Sequence, residues 1–363
     1  MKKKQPDIVL FLTTLLLLAI GIIMVLSASS YDAMLKYDNP YYFLNRQLIW
    51  ALLGIIAMFF VMQIDYYRLK PFVVPGFIVA IILLILVLIP GIGRNVGGAT
   101  RWIDLGFTRF SPSEIVKIAV VFFFARMMSL EPEKIKTIKG FGFCIGILGL
   151  IALLLMKQPD LGTTVAIAGT AFCMFIAMGA RISHLAGLVG LGIMGIVALI
   201  LDEPYRLKRI TGFLNLWETA SDEGYQTVQS LYALGSGGLL GVGLGNSRQK
   251  FLYLPERHTD FIFAIISEEL GFIGAFLVLS LFFLFIWRGF RIALHAPDTF
   301  GAMLAVGLTS IIAVQSVINM GVVTGSLPVT GITLPFVSYG GSSLLFSLIG
   351  VGILLNISKF SMK

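Results

Sequence analysis

The sequence alternates between long apolar runs and short polar segments. The apolar runs lie near residues 8–28, 48–64, 71–90, 114–130, 141–157, 161–179, 184–201, 261–287, 300–322 and 334–357. Most of them approach the length of about 20 apolar residues that a helix needs to cross the hydrocarbon core of a bilayer. The pattern therefore predicts an all-α polytopic membrane protein with about ten transmembrane helices.

The composition excludes an ordinary soluble domain. Hydrophobic residues make up 57% of the chain and charged residues 13%, whereas about 25% of the residues of a soluble domain are charged. The first run is longer than the core of a signal peptide and lacks a small-residue cleavage site, so we expect it to remain as an anchor. We expect one membrane domain over residues 1–363, including a polar loop at 202–260.

The distribution of Lys and Arg predicts the orientation, because these residues concentrate in cytoplasmic loops. With the N-terminus inside, fourteen basic residues fall on the inner side, and the short outer loops hold only Lys36, Arg46, Arg94, Arg101, Arg109 and Lys157. Both termini are therefore expected in the cytoplasm, and residues 202–260 are expected to form one large extracellular loop between helices 7 and 8. The net charge of +8 then reflects the topology, since the basic residues do not cluster on one face that could bind nucleic acid.

Two residue types give no further site. Cys144 and Cys173 fall within apolar runs and are expected to pack in the core, and no disulfide framework can be read. The three histidines are scattered, so their spacing indicates no metal site. The two halves of the chain do not match by eye, which weakens a transporter with inverted repeats without excluding it.

Four polar segments are predicted on the outer side. They are residues 97–104 running on to 111–117, residues 157–163, the long loop, and residues 325–331 with 335–343. Convergence of these segments on one face is what a site at that face requires. Within them we expect Asp160 to cap the sixth helix, and an amphipathic segment to begin near Tyr225 in an otherwise extended loop.

Several motifs resemble those of the SEDS family, the polytopic proteins of shape, elongation, division and sporulation that include RodA, FtsW and SpoVE. The motifs are Gln158-Pro-Asp-Leu-Gly-Thr163, the glycine-rich residues 235–245, Leu254-Pro-Glu-Arg-His-Thr-Asp260 with Glu268-Glu-Leu-Gly271, and Pro335-Phe-Val-Ser-Tyr-Gly-Gly-Ser342 with Ser343. The similarity covers essentially the whole chain. The segment Tyr42-Phe-Leu-Asn-Arg-Gln47 and the short tails look closer to FtsW and SpoVE than to RodA.

This resemblance implies a peptidoglycan glycosyltransferase that polymerises lipid II at the outer face of the bacterial cytoplasmic membrane, for division, sporulation or cell shape. It implies a class B penicillin-binding protein as partner, beside other membrane proteins of the divisome, elongasome or sporulation machinery, and a septal or sporulation-associated location. No nucleotide cofactor is implied, because the lipid-linked donor is already activated, and a divalent metal at the pyrophosphate is left open. The alternatives are a lipid II flippase and a non-catalytic scaffold.

Asp260 is the predicted catalytic residue. It ends the long loop directly before an apolar run, where an acid is costly unless it has a partner or a role. The resemblance matches it to the essential loop aspartate of the family, which implies a general base for the acceptor sugar hydroxyl. The structural alternative is that Thr259 or Asp260 caps the following helix, and the two roles can coexist.

Two pairs of charged residues are predicted inside the spans. Glu268 and Glu269 lie about 12–14 Å beyond Asp260 on a helix, and Glu268 is nearer to the Asp260 face. We therefore expect Glu268 to line a cavity continuous with the site and Glu269 to make structural hydrogen bonds. Glu114 and Lys117 are spaced to form an ion pair. Either Lys117 neighbours Asp260 or the substrate pyrophosphate, or the pair is self-contained.

Basic residues of the loops are candidates for the pyrophosphate. Arg206, Arg209 and Lys250 match basic positions of the family, and Arg side chains bind phosphate through two parallel hydrogen bonds. For Lys208, anchoring of the loop to lipid headgroups is an equal alternative. Arg101 and Trp102 are candidates for contact with a sugar or headgroup, although anchoring at the interface is the commoner role of a Trp in such a position.

Overall fold

A computed structural model describes residues 5–96, 99–104, 106, 109–202, 204–251 and 253–361. Its α-helices are α1 (Ile8–Tyr37), α2 (Tyr42–Gln63), α3 (Val73–Leu86), α4 (Pro112–Leu130), α5 (Ile138–Met156), α6 (Leu161–Ala177), α7 (Ile182–Asp202), α8 (Pro204–Leu214), α9 (Tyr225–Gly237), α10 (Ile262–Leu294), α11 (Thr299–Val323) and α12 (Gly341–Ser358). Short 3₁₀ helices cover Tyr66–Phe72 and Pro132–Lys136.

The predicted polytopic helical fold is confirmed. Each of the ten apolar runs overlaps one of the helices α1–α7 and α10–α12. Within the described ranges, seven helical segments are long and apolar enough to cross a membrane. The main differences lie at the ends of the helices, because α1 continues to Tyr37 and α10 to Leu294.

A small sheet between α3 and α4 adds to the predicted all-α fold. Its strands are β1 (Gly93–Val96), β2 (Ala99–Asp104) and β3 (Arg109–Phe110), in the antiparallel order β1-β2-β3. An ion pair between Arg94 and Asp104 crosses from β1 to β2. The sheet presents Arg101 and Trp102 on its central strand.

The segment 202–260 is not the extended loop expected from its polarity. It contains α8 and α9, and α9 packs against α10 and α11. The predicted helical segment near Tyr225 is confirmed as α9, but its Val228 and Ala233 side chains are buried in the protein. Buried residues of α9 therefore attach this segment to the helical bundle.

Helix α10 is broken at Gly271, which has φ 67° and ψ −167°. The glycine-rich segment lies against this break: the N–H of Val242 donates to the carbonyl of Glu268, and the N–H of Phe272 donates to the carbonyl of Gly238, at 3.0 and 2.8 Å. An added Cβ at Gly271 would collide with this backbone. The glycines thus allow two backbones to pair where a helix is interrupted.

The last helix begins later than predicted, at Gly341 instead of near residue 334. Residues 332–340 are irregular but largely buried, and Phe336 has a φ of 65°. The side chain of Ser338 holds the segment, since its hydroxyl donates to Thr259 O at 2.6 Å and accepts from the N–H of Leu334 at 2.8 Å. Pro335 cannot donate to a helix and disfavours helical backbone in the residue before it.

Small residues allow α12 to pack closely on α2. A Cβ added to Gly54 would lie 2.5 Å from Leu348, and one added to Gly352 would lie 2.6 Å from the carbonyl of Met58. Close approach at small residues is typical of helices packed within membranes. Gly341 at the start of α12 likewise lies against the ring of Trp50.

Both ends of the described chain lie on one face of the bundle. The N–H of Asp7 donates to Ser358 Oγ at 3.0 Å, and the Asp7 carboxylate pairs with Arg288 at the end of α10. The opposite face carries the polar segments singled out from the sequence. The two faces therefore separate the residues around the termini from those around Asp260.

Candidate functional site

The main chain at Asp260 is held by α11. The side chain of Asn319 donates hydrogen bonds to the carbonyls of Asp260 and Ile332, both at 2.7 Å. Two residues before Asp260, the carbonyl of His258 accepts a hydrogen bond from the N–H of Tyr339 at 2.9 Å. Asn319 and the 332–340 segment thus fix the position from which the Asp260 side chain projects.

The capping role considered for Thr259 and Asp260 is wrong. Phe261 is the N-cap of α10, and no side chain caps this helix. The Thr259 hydroxyl instead donates to Glu256, at 3.1 Å to its carbonyl and 2.8 Å to its carboxylate. No residue with a described side chain donates a hydrogen bond to the Asp260 carboxylate, and Gly331 lies next to it, since an added Cβ would be in ordinary contact with Oδ2 at 3.7 Å.

The surroundings of Asp260 raise its pKa to about 7 from an ordinary value of 3.8. Burial is the main cause, and the negative charge of Glu256 adds to it, while the positive charges of Arg101 and Arg209 act in the opposite direction. A carboxyl with a pKa near the working pH is suited to accept a proton from a substrate hydroxyl. Asp260 as a whole residue is half-buried.

Arg101 connects the sheet to the start of α6 beside this carboxyl. Its Nε donates to Gln158 O at 3.1 Å, and its Nη1 lies 3.5 Å from Asp160 Oδ1. Asp160 is confirmed as the cap of α6, because its carboxylate accepts from the N–H of Thr163 at 3.1 Å. Arg101 is thus fixed in place, whereas Trp102 is half-buried on the same strand. Whether either residue contacts a sugar stays a prediction.

Of the basic cluster predicted on the long loop, Arg209 is the residue placed beside Asp260. It is exposed on α8, and its Nη1 donates to the carbonyl of Val329 at 3.4 Å. Lys208 is also exposed and lies 3.6 Å from Glu223. The side chain of Arg206 lies outside the part of the chain whose side chains are described.

His258 is surrounded by aromatic rings. Its ring centroid lies 4.6 Å from that of Phe43 and 5.7 Å from that of Tyr339. Burial lowers the pKa of His258 to about 4, so the imidazole is neutral at pH 7. His258 therefore supports the loop through packing and carries no positive charge for a pyrophosphate.

A buried ion pair missed by the sequence analysis holds the same loop to α1. Arg257 Nη2 lies 3.1 Å from Asp32 Oδ1, and both side chains are buried. Asp32 also lies 3.1 Å from Lys36, whose side chain is exposed. An acid close to an apolar run is the feature that could have revealed this pair. The predicted run ended at residue 28, so Asp32 was expected outside the helix.

Glu114 and Lys117 form the self-contained pair that was one of the two expectations. Lys117 Nζ lies 2.7 Å from Glu114 Oε2, and both side chains are mostly buried. Together with Gln315 and Ser347 they line a cavity of about 20 Å³ between α4, α11 and α12. Neither residue of the pair is among the main charges acting on the Asp260 carboxyl, and a contact of Lys117 with Asp260 or with the substrate pyrophosphate stays a prediction.

Lys250 is also paired inside the protein. Its Nζ lies 3.2 Å from Glu269 Oε1, and it donates to the carbonyl of Gly245. Glu269 in turn accepts from the hydroxyl of Ser27 at 2.7 Å. Lys250 is only 5% exposed, and its contact with a pyrophosphate stays a prediction. Glu269 makes the structural hydrogen bonds expected of it.

Glu268 lines a cavity, but a different one from that predicted. Its carboxylate accepts from the N–H of Arg248 at 2.9 Å and from the hydroxyl of Ser247. The cavity measures about 400 Å³, and Asp260 is not among its lining residues.

Within the part of the chain that the structure describes, the four predicted polar segments lie together. Their contacts join Arg101 to Asp160, Gly162 to Thr330, Arg209 to Val329 and Thr259 to Ser338. The predicted convergence is therefore confirmed, and Asp260 lies within it.

The Cell cycle protein family model, which covers FtsW, RodA and SpoVE, matches residues 7–363. The chain belongs to this family. It is 52% identical to stage V sporulation protein E of Bacillus subtilis, over 99% of both chains. It is 46% identical to the probable peptidoglycan glycosyltransferase FtsW of Trichlorobacter lovleyi, over 98% of this chain and 93% of that one.

Solved structures of similar proteins share the fold of this FtsW/RodA/SpoVE family member. A chain from a study of the structural coordination of polymerization and crosslinking by a peptidoglycan synthase complex is 27% identical, with a TM-score of 0.81 over 97% of both chains. The rod shape determining protein RodA of Thermus thermophilus is 28% identical, with a TM-score of 0.73 over 99% of this chain and 98% of that one.

Proposed function

We propose that this protein is a peptidoglycan glycosyltransferase that polymerises lipid II at the outer face of the bacterial cytoplasmic membrane. The observation that carries the proposal is the Asp260 carboxylate. Asn319 holds the main-chain carbonyl of Asp260 at the convergence of the polar segments, the pKa of the carboxyl is about 7, and no described side chain donates a hydrogen bond to it. The curated names of full-length relatives support the same reaction.

The chemistry requires a base and a site for the leaving group. The hydroxyl oxygen of the acceptor sugar attacks the anomeric carbon of the donor, and its proton passes to the Asp260 carboxylate. The bond from the anomeric carbon to the pyrophosphate breaks, and the lipid pyrophosphate leaves with the bonding electrons. A positioned base contributes typically about 10²–10⁴-fold to such a step.

Arg209 is suited to the leaving pyrophosphate, because it is exposed and close enough to act on the charge of Asp260. A guanidinium presents parallel donors that match phosphate oxygens. Arg101 contributes positive charge from a fixed position, since Asp160 and the carbonyl of Gln158 already bind it. The two Arg residues thus differ in exposure: Arg209 is exposed, and Arg101 is half-buried.

The proposed orientation follows the positive-inside rule, with both termini in the cytoplasm and Asp260 at the outer face. The common face of Asp7 and Ser358 supports a single side for both termini. The similarity to a sporulation protein and to FtsW proteins supports a septal or sporulation-associated location. Similarity to a chain of a peptidoglycan synthase complex supports a class B penicillin-binding protein as partner.

The flippase alternative requires a polar path through the bundle for a large headgroup. The cavity beside the Glu114–Lys117 pair measures about 20 Å³, which is close to the space of a single water molecule. At this point the conformation offers no passage for a disaccharide with its peptide. A non-catalytic scaffold, in turn, needs no carboxyl whose pKa is raised to about 7.

The deciding experiment gives labelled lipid II to the purified protein in detergent, with the partner transpeptidase present but chemically blocked. We expect glycan polymer from the wild-type protein and none from Asp260→Asn. Polymer that is unaffected by Asp260→Asn would overturn the assignment of the base. A wild-type protein that forms no polymer would overturn the enzyme proposal in favour of a flippase or a scaffold.

A further inference from the structure

The three residues before the N-cap of α10 each have their carbonyl bound by a donor from another part of the chain. These hydrogen bonds are Tyr339 N–H to His258 at 2.9 Å, the Ser338 hydroxyl to Thr259 at 2.6 Å, and Asn319 Nδ2 to Asp260 at 2.7 Å. The Asp260 carboxylate, in contrast, accepts no hydrogen bond from a side chain that the structure describes. The main chain is therefore fixed at every one of these residues, while the carboxylate keeps its acceptor positions for another group.

Two of the three donors belong to residues 332–340, here called the support segment, which is itself held by the surrounding helices. Asn319 also donates to the carbonyl of Ile332 at 2.7 Å, so one amide binds both segments. On the side of α1, a Cβ added to Gly21 would lie 2.5 Å from the carbonyl of Phe336. Phe336 has a φ of 65°, a left-handed conformation that is costly for a bulky residue. Such strain persists where the surroundings over-determine it, and it concentrates at functional sites.

Gln47 holds the support segment from α2. Its side chain is fully buried; its Nε2 donates to Ser338 O at 3.3 Å, and its Oε1 accepts from the N–H of Gly340 at 3.4 Å. Phe43 lies one turn earlier on the same face of α2, and its ring centroid is 5.1 Å from that of Tyr339. A buried amide on an apolar helix is costly unless its hydrogen bonds are made. Gln47 makes them on both sides of the residue that binds His258.

We propose that Ser338 and Gln47 are positioning residues for Asp260 in glycosyl transfer. The Ser338 hydroxyl holds the main chain next to Asp260, and Gln47 acts through the support segment that carries this hydroxyl. Both roles rest on the proposed function, because the geometry that they hold is that of the transfer step. A base must lie within hydrogen-bond reach of the hydroxyl that it deprotonates. Groups of this kind need support from hydrogen bonds of residues that do not contact the substrate.

The first test compares two buried serine hydroxyls that each bind a distant carbonyl. Ser338 donates to Thr259 O at 2.6 Å, whereas Ser230 joins α9 to the end of α11 by donating to Val323 O at 2.7 Å. We expect Ser338→Ala to lower kcat for lipid II polymerisation by about tenfold to 10²-fold, as misplacement by about 1 Å can do, with KM near that of wild type. The matched control Ser230→Ala should keep both constants near wild type. Ser338→Thr retains the hydroxyl and should restore most of the rate.

The second test asks whether Gln47 acts through the support segment. Gln47→Met keeps the length of the side chain and removes both hydrogen bonds, so it should lower kcat by a smaller factor than Ser338→Ala. The double variant should lose less than the product of the two single losses, because both changes release the same segment. A loss equal to that product would contradict this route. If Ser338→Ala does not fold, a folded Gln47→Met protein with the kcat of wild type would overturn the proposal.

Thermal unfolding of each variant separates loss of fold from loss of rate. Ser338→Ala and Ser230→Ala each lose one buried hydrogen bond and should unfold at similar temperatures. Equal kcat values for these two folded variants would overturn the positioning role, and so would a Ser338→Thr protein as slow as Ser338→Ala. Either result, obtained while the wild-type protein forms polymer, leaves the proposed function standing. A wild-type protein that forms no polymer would contradict the proposed function and the positioning role together.

Discussion

Arg257 and Asp32 form a buried ion pair, with 3.1 Å between Nη2 and Oδ1, that connects the segment ending at Asp260 to the first helix. Asp32 has a second partner, Lys36, which is exposed. One carboxylate therefore holds a buried and an exposed cation at the same distance. This pair anchors the loop that ends at Asp260 to α1.

The two partners of Asp32 should differ in their contribution to stability. Arg257→Met leaves a buried carboxylate without its buried partner and should lower the free energy of unfolding by about 3–5 kcal/mol. Lys36→Met removes an exposed pair and should cost about 1 kcal/mol or less. Thermal unfolding of the purified variants checks the difference. Equal losses would mean that the buried pair does not anchor the loop.

The activity should depend on pH through Asp260. The base must be ionised, so the polymerisation rate should fall as the pH drops below about 7, the pKa of Asp260. Glu256→Gln removes a negative charge that raises this pKa and should move the profile to lower pH. Arg209→Gln removes a positive charge that lowers it and should move the profile to higher pH. Rates at saturating lipid II over pH 5–9 test these opposite shifts, and a common direction would contradict the electrostatic account.

The same carboxyl should reduce stability at neutral and higher pH. Its pKa is about 7 in the folded protein and 3.8 ordinarily, so between these values the folded state binds the proton more tightly. The free energy of unfolding therefore falls as the pH rises through this window and stays low above it. Asp260→Asn avoids this cost and should be more stable than wild type by about 1–2 kcal/mol at high pH, after allowance for partial exposure.

The measurement for this prediction is thermal unfolding of both proteins at acid and alkaline pH. The advantage of Asp260→Asn should be present at pH above the folded pKa and should shrink toward pH 4, near the ordinary pKa. An advantage that is independent of pH would indicate a packing effect instead of a titration.

Lys250 offers a matched comparison with a surface pair. Lys250→Met leaves Glu269 buried and uncompensated, and should destabilise the protein by about 3–5 kcal/mol. Lys136→Met breaks an exposed pair with Glu133 at 2.7 Å and should cost about 1 kcal/mol or less. If both variants unfold at the same temperature, the glycine-rich loop is not held by the Lys250–Glu269 pair.

The helices were predictable because crossing a bilayer requires long apolar runs, a requirement that each segment meets on its own. The run near 334–357 shows the limit of this reasoning. Residues 334–340 are apolar enough to continue the membrane-spanning helix. Pro335 and the contact of Ser338 with Thr259 nevertheless hold them in an irregular segment. That contact joins positions far apart in the chain, and apolar content does not reveal it.

The residues of the candidate site also divide into those that the sequence predicts and those that it does not. Asp260 was predictable because a charged residue at the start of an apolar run is unusual and because its motif resembles that of a family. The roles of Lys250 and Asp32 were not, since a loop lysine looks exposed until its partner Glu269 is placed beside it. Pairing in three dimensions decides whether a charge is available to a substrate, and spacing along the chain does not report it.

The most direct test of the account compares two identical chemical changes on the same segment. Asp260→Asn removes the proposed base, and Asp222→Asn changes an exposed acid of the 202–260 segment. Initial rates of lipid II polymerisation, measured with the partner transpeptidase blocked, should fall by about 10²–10⁴-fold for Asp260→Asn and stay at the wild-type level for Asp222→Asn. Equal rates for Asp260→Asn and wild type, with both proteins folded, would contradict the assignment of Asp260 as the general base.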